Sequence, residues 1–497
     1  MDEPYRMAPA RTTGVVLFRS RGLAASLCAL AVGAVAALSA TPASASGFMF
    51  TKFGGDQGQP AIGSPYSVYF NPAAIGDAKG TQIVLDGMFA IRSASYDRPA
   101  SALSPSAGKS ATEPNYVAAN TGKAKSTGIQ GAPYFGVTTD FGGQPFFVGF
   151  ASYVPEGGYA SFGKATSWQS DKRGLGAYDG PQRWSLVSGA QVSWWNTLAA
   201  GTTIAPARLS IGISATIVRD SLESLIARNK DASDDLATAT GLPTEGRSLV
   251  KVSGVHAALA FGLFWKPLED GTLRLGASYT SPQGLSEARL KGTLRTQFGT
   301  APEKAQDVDL LMSFPDVIRF GAAYLVSPKL DLRLDFEWVR WSRLQRQCVV
   351  NVDASCNINA DTGAEIVPPG GDAKVLLNLD RRWKDAFGLR VGAGYFASSD
   401  LELMGSLGFD TSPVPKGRLD ATYIEGFKLL FSVGARLKLA ERWFVGATVT
   451  EMYMLPVDNS ASTDLNNKLQ QPSKSPSNGG KYTQSITFLD VNVGVKF

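Results

Sequence analysis

Residues 330–338 read Leu330-Asp331-Leu332-Arg333-Leu334-Asp335-Phe336-Glu337-Trp338, with apolar and charged side chains alternating without a break. Successive side chains of a strand point to opposite faces, so one face here is wholly apolar and the other wholly charged. The pattern recurs. Over 208–217, Leu209, Ile211, Ile213, Ala215 and Ile217 alternate with Arg208, Ser210, Gly212, Ser214 and Thr216. Over 387–395, Phe387, Leu389, Val391, Ala393 and Tyr395 alternate with Gly388, Arg390, Gly392 and Gly394. Over 428–439 only Leu430 breaks the alternation. Strands of a soluble sandwich also alternate. In this chain the second face collects charges and glycines, as the inner wall of a wide barrel would, and the apolar face suits lipid.

Counting such segments gives about fourteen strands, at 80–96, 132–141, 145–154, 183–197, 207–223, 249–266, 272–295, 309–326, 329–342, 383–397, 400–411, 424–439, 442–455 and 482–497. Tight connections follow the second, sixth, eighth, tenth and twelfth. Longer ones, at 97–131, 155–182, 224–248, 343–382 and 456–481, are assigned to the cell exterior. The expected fold is all-β, a transmembrane antiparallel β-barrel spanning 80–497. The last strand closes on Phe497, with Val495, Val493, Val491 and Leu489 on the same face. A terminal aromatic on such a strand resembles the signal read by the barrel-assembly machinery.

Upstream, Arg6, Arg11, Arg19 and Arg21 precede an uncharged apolar stretch at 22–38, and Ala43-Ser44-Ala45 forms a cleavage site. Residues 1–45 therefore read as a signal peptide, and the compartment is the outer membrane. No stretch of 18 apolar residues follows residue 45. The formal net charge of +5 includes the basic leader, and no basic patch interleaved with aromatics points to nucleic acid. Of the three cysteines, Cys348 and Cys356 remain in the mature chain, in a polar loop where a local disulfide is plausible outside the cytosol. No cofactor motif or metal-ligand spacing is present, and the partners expected are hydrophobic small molecules and outer-membrane lipid.

Residues 46–79 hold Gly54, Gly55, Gly58, Pro60, Gly63, Pro65 and Pro72, which rule out a long helix or regular strand. Phe48, Phe50, Phe53, Tyr66, Tyr69 and Phe70 argue against a disordered tail. A plug, or hatch, inside the lumen is the better reading, since so wide a barrel would otherwise leak. Near the third strand, Pro155-Glu156-Gly157-Gly158 either kinks the strand or merely ends it. Leu222, Leu225 and Ile226 share a helical face, so 220–239 is expected to form a short amphipathic helix.

Three segments together resemble the FadL/TodX-type family of outer-membrane long-chain fatty-acid and hydrocarbon transporters. The first is Ser67-Val68-Tyr69-Phe70-Asn71-Pro72-Ala73-Ala74-Ile75, similar to the family's hatch motif. The second is Ser313-Phe314-Pro315-Asp316-Val317 with Trp341-Ser342. The third, and most specific, combines Trp383, Asp385 and Phe387 with Ser412-Pro413-Val414-Pro415. The resemblance implies a fourteen-stranded barrel with an N-terminal hatch at Asn71, Pro72 and Ala73. It also implies a lateral opening at a kink in the third strand, here Pro155, Gly157 and Gly158, and passive uptake of long-chain fatty acids or aromatic hydrocarbons. The rivals are a porin for polar solutes, a structural or adhesin-type barrel, and an enzyme. The sole histidine, His256, has no G-x-S-x-G near it.

Deleting Phe497 is expected to lower the yield of folded barrel severalfold. Loss of the heat-modifiable gel band at equal expression measures it; an undiminished band contradicts the signal reading.

Overall fold

The computed structural model describes residues 53–106, 112, 114–164, 177–229, 231–237, 241–461 and 475–497. The leader expected at 1–45 and residues 46–52 lie outside the described residues. Eighteen strands form one closed antiparallel sheet. They are β1 Thr81–Arg98, β2 Gly122–Thr139, β3 Phe146–Ser161, β4 Ser188–Ile204, β5 Leu209–Arg228, β6 Gly246–Trp265, β7 Leu273–Thr280, β8 Ala288–Phe298 and β9 Lys304–Met312. The rest are β10 Val317–Ser327, β11 Leu330–Val339, β12 Arg346–Asn351, β13 Val375–Asp380, β14 Ala386–Phe396, β15 Leu401–Asp410, β16 Lys428–Lys438, β17 Trp443–Asp458 and β18 Lys481–Lys496. Eight of them lie end to end in pairs: β7 with β8, β9 with β10, β11 with β12, and β13 with β14. The wall is therefore a barrel of fourteen staves, closed by β1 against β18 from Gln82–Lys496 to Asp97–Lys481. Closure removes the edges that hydrocarbon would not tolerate.

The alternating pattern maps onto the wall. On β11, Leu332 and Leu334 face outward while Asp331, Arg333, Asp335 and Glu337 are buried inside. The inner charges are paired: Arg319 with Glu337 at 2.8 Å, Arg333 with Asp331 at 3.1 Å and with Glu402, and Arg390 with Asp410 at 3.1 Å. An unpaired charge in so dry an interior would be costly, and pairing removes most of that cost. Outside, Ile129, Leu198, Ile217, Val255, Leu407 and Val433 are each more than 60% exposed, forming an apolar surface for lipid. Short connections at 140–145, 205–208, 266–272, 328–329, 397–400 and 439–442 gather at one end with both barrel termini, which makes that end periplasmic.

Several expected boundaries are corrected. The wall reaches further outward than the apolar pattern suggested, so β2 begins at Gly122, β3 runs to Ser161, and β12 and β13 lie within the range assigned to one loop. Extra-membrane strands need no apolar face, so periodicity there is weak. Cys348 is therefore on β12, fully buried, and not in a loop; it is bonded to Cys356 with 6.0 Å between their Cα atoms. The helix expected from 220 onward is absent through Arg228. Leu222, Leu225 and Ile226 belong to β5, which pairs with β6 as far as Arg228–Gly246. Ladder hydrogen bonds with β4 and β6 outweigh a three-residue helical face.

The four in-line staves are interrupted at 281–287, 313–316, 340–345 and 381–385. The breaks lie side by side. Below them Thr280 pairs with Val317, Val317 with Val339, and Val339 with Ala386. Above them Ala288 and Gln347 both pair with Met312, and Arg346 pairs with Asp380. One belt of irregular chain thus divides a lower, membrane-level wall from an upper one. Phe314, Trp341, Leu344 and Trp383 turn inward from this belt into a single apolar cluster.

Candidate functional site

The N-terminal segment from Phe53 to Gly80 packs inside the lower barrel. Phe53, Val68, Phe70, Ala73, Ala74 and Ile75 are almost wholly buried. Its turns are short: Gly55–Gln57 and Pro72–Asp77 in 3-10 geometry, with one helical turn at Ser67–Phe70 between them. Asn71 organises the last of these. Its Oδ1 accepts from Ala73 N at 3.1 Å, while Nδ2 donates to Pro60 O and to Leu263 O on β6, both at 2.9 Å. Pro72 follows in the first helical position, where its missing N–H leaves nothing unsatisfied. The wall meets this segment with glycine. A Cβ at Gly212, Gly262, Gly276 or Gly321 would come within 3.0 Å of Pro60, Ala61 or the Asn71-Pro72-Ala73 backbone. Backbone therefore lies against backbone, which only glycine permits. Further contacts come from Tyr134 Oη to Pro65 O at 2.7 Å, and from Gly54 N to the carboxylates of Asp86 and Asp490 at 2.8 and 3.1 Å.

The wall is discontinuous between β2 and β3. Their ladder runs from Thr139–Val148 to Tyr134–Tyr153 and stops. Among the described residues the two strands next meet where Gly163 N donates to Lys125 O at 3.0 Å. Between those points lies a seam bordered by 126–133 and 154–162, about 25 Å of strand. Meanwhile β2 stays paired with β1 along its whole length, and β3 stays paired with β4 to Ser161–Ser188. Pro155, Gly157 and Gly158 are thus inside β3 and do not end it; a register shift at Tyr153/Glu156 bends the strand there. A second proline, Pro133 on β2, borders the seam from the other side. Each proline lacks a ladder donor at the level where pairing stops. The sequence reading missed Pro133, although a proline inside a strand segment is itself a signal.

Among the described residues the lumen holds a polar cavity beside residues 55–59 and two that are more apolar. The lower of these two is bounded by Gly55 of the N-terminal segment and by Met88, Val339, Trp341, Trp383, Leu430, Met452 and Phe488. Leu430, the single break in the alternation of 428–439, points into it. The upper is lined by Trp184, Leu186, Leu222, Val250, Leu310, Leu377 and Tyr423, and it touches β3 at Gly158 and Ala160, directly behind the seam. At the foot of the seam Tyr134 and Tyr153 stack at 5.3 Å, and Tyr153 contacts Tyr69 of the N-terminal segment at 5.2 Å.

His256 faces the lumen with Nδ1 2.8 Å from Asp220 Oδ2, and the other Asp220 oxygen accepts from Ser193 Oγ. Serine and histidine share the carboxylate and do not touch as nucleophile and base would.

A family model described as outer membrane protein transport protein (OMPP1/FadL/TodX) matches residues 31–488. The chain belongs to this family. Among solved structures, a FadL homologue from Pseudomonas aeruginosa superposes with a TM-score of 0.67 at 14% identity, covering 91% of this chain and 100% of that one. The toluene transporter TodX of P. putida gives 0.58 at 14% identity, covering 87% and 94%. At such identities the likeness establishes the fold. A Neisseria meningitidis serogroup B protein, provisionally named for the outer membrane, is 21% identical over 210 residues, and the match spans 42% of that relative's length and 42% of this chain. Membership in the OMPP1/FadL/TodX family and the closed barrel make this an outer-membrane transport protein.

The FadL/TodX-type motif residues of 383–415 lie in the belt or beside it. Trp383 packs edge-on against Trp341 at 4.9 Å and Tyr423 at 5.3 Å, roofing the lower cavity. Asp385 accepts from Trp338 Nε1 at 3.0 Å and Ser342 N at 3.1 Å, fixing the return from β13 into β14. Phe387 faces outward and stacks on Trp338. Pro413 O accepts from Lys384 N at 2.8 Å, Ser412 Oγ accepts from Val414 N at 3.2 Å, and Pro415 precedes the turn Lys416–Arg418. At the far end Phe497 N donates to Thr81 O at 2.8 Å, and its side chain is exposed. None of these residues is brought to Asn71-Pro72-Ala73 or to the seam.

Gly262→Val should dislodge the N-terminal segment, because the new side chain would occupy the place of Asn71 Oδ1. The purified variant in planar bilayers is expected to show steady conductance several times that of the parent. Unchanged conductance would mean that the segment does not close the lumen.

Proposed function

We propose that the protein takes up uncharged hydrophobic molecules passively, holding them in the two more apolar lumen cavities above the N-terminal hatch and releasing them sideways through the β2–β3 seam. The carrying observation is that the ladder between β2 and β3 stops at Tyr134–Tyr153 while the upper cavity abuts β3 at Gly158 and Ala160. An apolar molecule gains nothing from water, and each buried CH₂ contributes about 0.8 kcal/mol. A route from apolar cavity to lipid keeps that gain throughout. The hatch supports the same direction, because it fills the lower lumen that an axial route would need.

Charge supports the uncharged cargo class. The lower cavity is bordered by Glu337, Asp410, Glu425 and Asp490 against two cations, Arg390 and Lys428. Lys428 is held by Glu425 at 2.7 Å and Arg390 by Asp410 at 3.1 Å. With Glu337 held by Arg319, a fatty-acid carboxylate entering there would find no uncommitted cation, and the low dielectric magnifies the cost of leaving it unpaired. The long-chain fatty acid that the family resemblance led us to expect is therefore disfavoured. Among the structural relatives, the toluene transporters of P. putida and Ralstonia pickettii are named for an uncharged aromatic.

A long-chain alcohol should bind the purified protein roughly ten-fold more tightly than the acid of equal length, a difference of about 1.4 kcal/mol. Glu425→Gln should narrow that gap by freeing Lys428. Titration calorimetry in detergent reads both. Equal or tighter binding of the acid would refute the charge argument, and binding of neither would remove the transport reading of the cavities.

A further inference from the structure

Glu156 is a buried carboxyl with no role in the path described so far. It sits on β3 at the bend, 3% exposed, and across from Ser193 of β4. Among the described residues its hydrogen-bond partner is Gln283, whose Nε2 donates to Glu156 Oε2 at 3.1 Å. Gln283 is 1% exposed and belongs to the break at 281–287, so the bond crosses the lumen from the third stave to the seventh.

The two ends of this bond differ in firmness. The Gln283 end is anchored: Ser281 N donates to Leu259 O at 2.8 Å and Gly284 N to Ala257 O at 2.9 Å, tying the break to β6. Its turn is also unusual, since Gly284 and then Leu285 take φ of +73° and +60°. A leucine held in the left-handed region implies a turn fixed by its surroundings. Behind the bend, Ser193, Asp220 and His256 link β4, β5 and β6 through one carboxylate. The Glu156 end, by contrast, is on the strand whose ladder with β2 has just stopped.

We propose that the Glu156–Gln283 bond is a latch that holds the bent part of β3 into the lumen and away from β2, making Glu156 a positioning residue for sideways release. The inference rests on the lateral-exit reading above. Without the latch, the bent part of β3, still hinged on its ladder with β4, can swing back toward β2, and the seam narrows. Past the one-residue shift at Tyr153/Glu156, the register that Gly163 shares with Lys125 would set Tyr159 opposite Ile129, both on the outer face.

The test uses the full-length protein in the outer membrane at matched surface abundance, with labelled hexadecanol as cargo. Glu156→Ala and Gln283→Ala should each lower the maximal uptake rate at least five-fold while the dissociation constant of the purified protein for hexadecanol stays within two-fold. The double Ala variant should be no worse than either single one. The exchange Glu156→Gln with Gln283→Glu should restore uptake, because the amide can donate from either side; a role in folding alone would show in surface abundance and in the dissociation constant, not in the uptake rate at matched abundance. Oxidative cross-linking of an Ile129→Cys, Tyr159→Cys pair should be faster in the Glu156→Ala background. Normal uptake in the single variants, additive losses, or failure of the exchange would overturn the latch. The same cysteine pair separates the two claims. If cross-linking the seam stops uptake while Glu156→Ala does not, the latch alone fails; if uptake survives the cross-link, lateral exit fails.

Discussion

In hydrocarbon every backbone N–H and C=O must find a partner within the protein, and a closed ladder of strands is the way a sheet meets that demand. Any place where the ladder stops is then a departure that other contacts must hold. The wall stops pairing between β2 and β3 above Tyr134–Tyr153, and the stop is built from several directions at once. Two prolines remove donors, a register shift bends β3, and an aromatic stack seals the foot. Four staves away, the break at 281–287 supplies the partner of Glu156. The remaining architecture follows from keeping the rest of the wall continuous around that one departure.

The interior is organised by the same economy of partners. Inward charges on β11 are locked into ion pairs, so they do not line an open water channel. Where the inward face turns apolar, at Met88, Leu430, Met452 and Phe488, a cavity results. The N-terminal segment is held by glycine contacts, by packing of Phe53, Tyr66 and Tyr69 on Tyr134, Tyr153 and Trp195, by the Lys266–Asp77 ion pair and by hydrogen bonds each worth about 1 kcal/mol net, with no strand pairing to the wall. A seat of that kind fills the lumen without making the segment part of the sheet.

Strand periodicity was legible because lipid outside and a filled lumen inside impose opposite demands on neighbouring residues. It located all fourteen staves, including those of 330–338 and 428–439. It lost its force above the membrane, where β12 and β13 were read as loop and the end of β5 as helix. The belt was hidden for another reason. Ser313-Phe314-Pro315-Asp316 and Trp383-Lys384-Asp385 were legible as family motifs, but which breaks line up depends on register between strands distant in sequence. Leu430 looked like a flaw in a pattern and is a cavity wall. Pro133 was visible in the sequence, yet its meaning required knowing that β2 loses its partner β3 beside it. Glu156 carried no local signal, since its partner lies 127 residues away.

The central claim is that cargo passes through the wall between β2 and β3. A diazirine-bearing long-chain alcohol, irradiated during uptake by intact cells and mapped by mass spectrometry, tests it most directly. The account predicts adducts on 126–133 and 154–162 together with residues of the two cavities. Adducts confined to the N-terminal segment and the lower lumen around Gly262, with none along the seam, would contradict it.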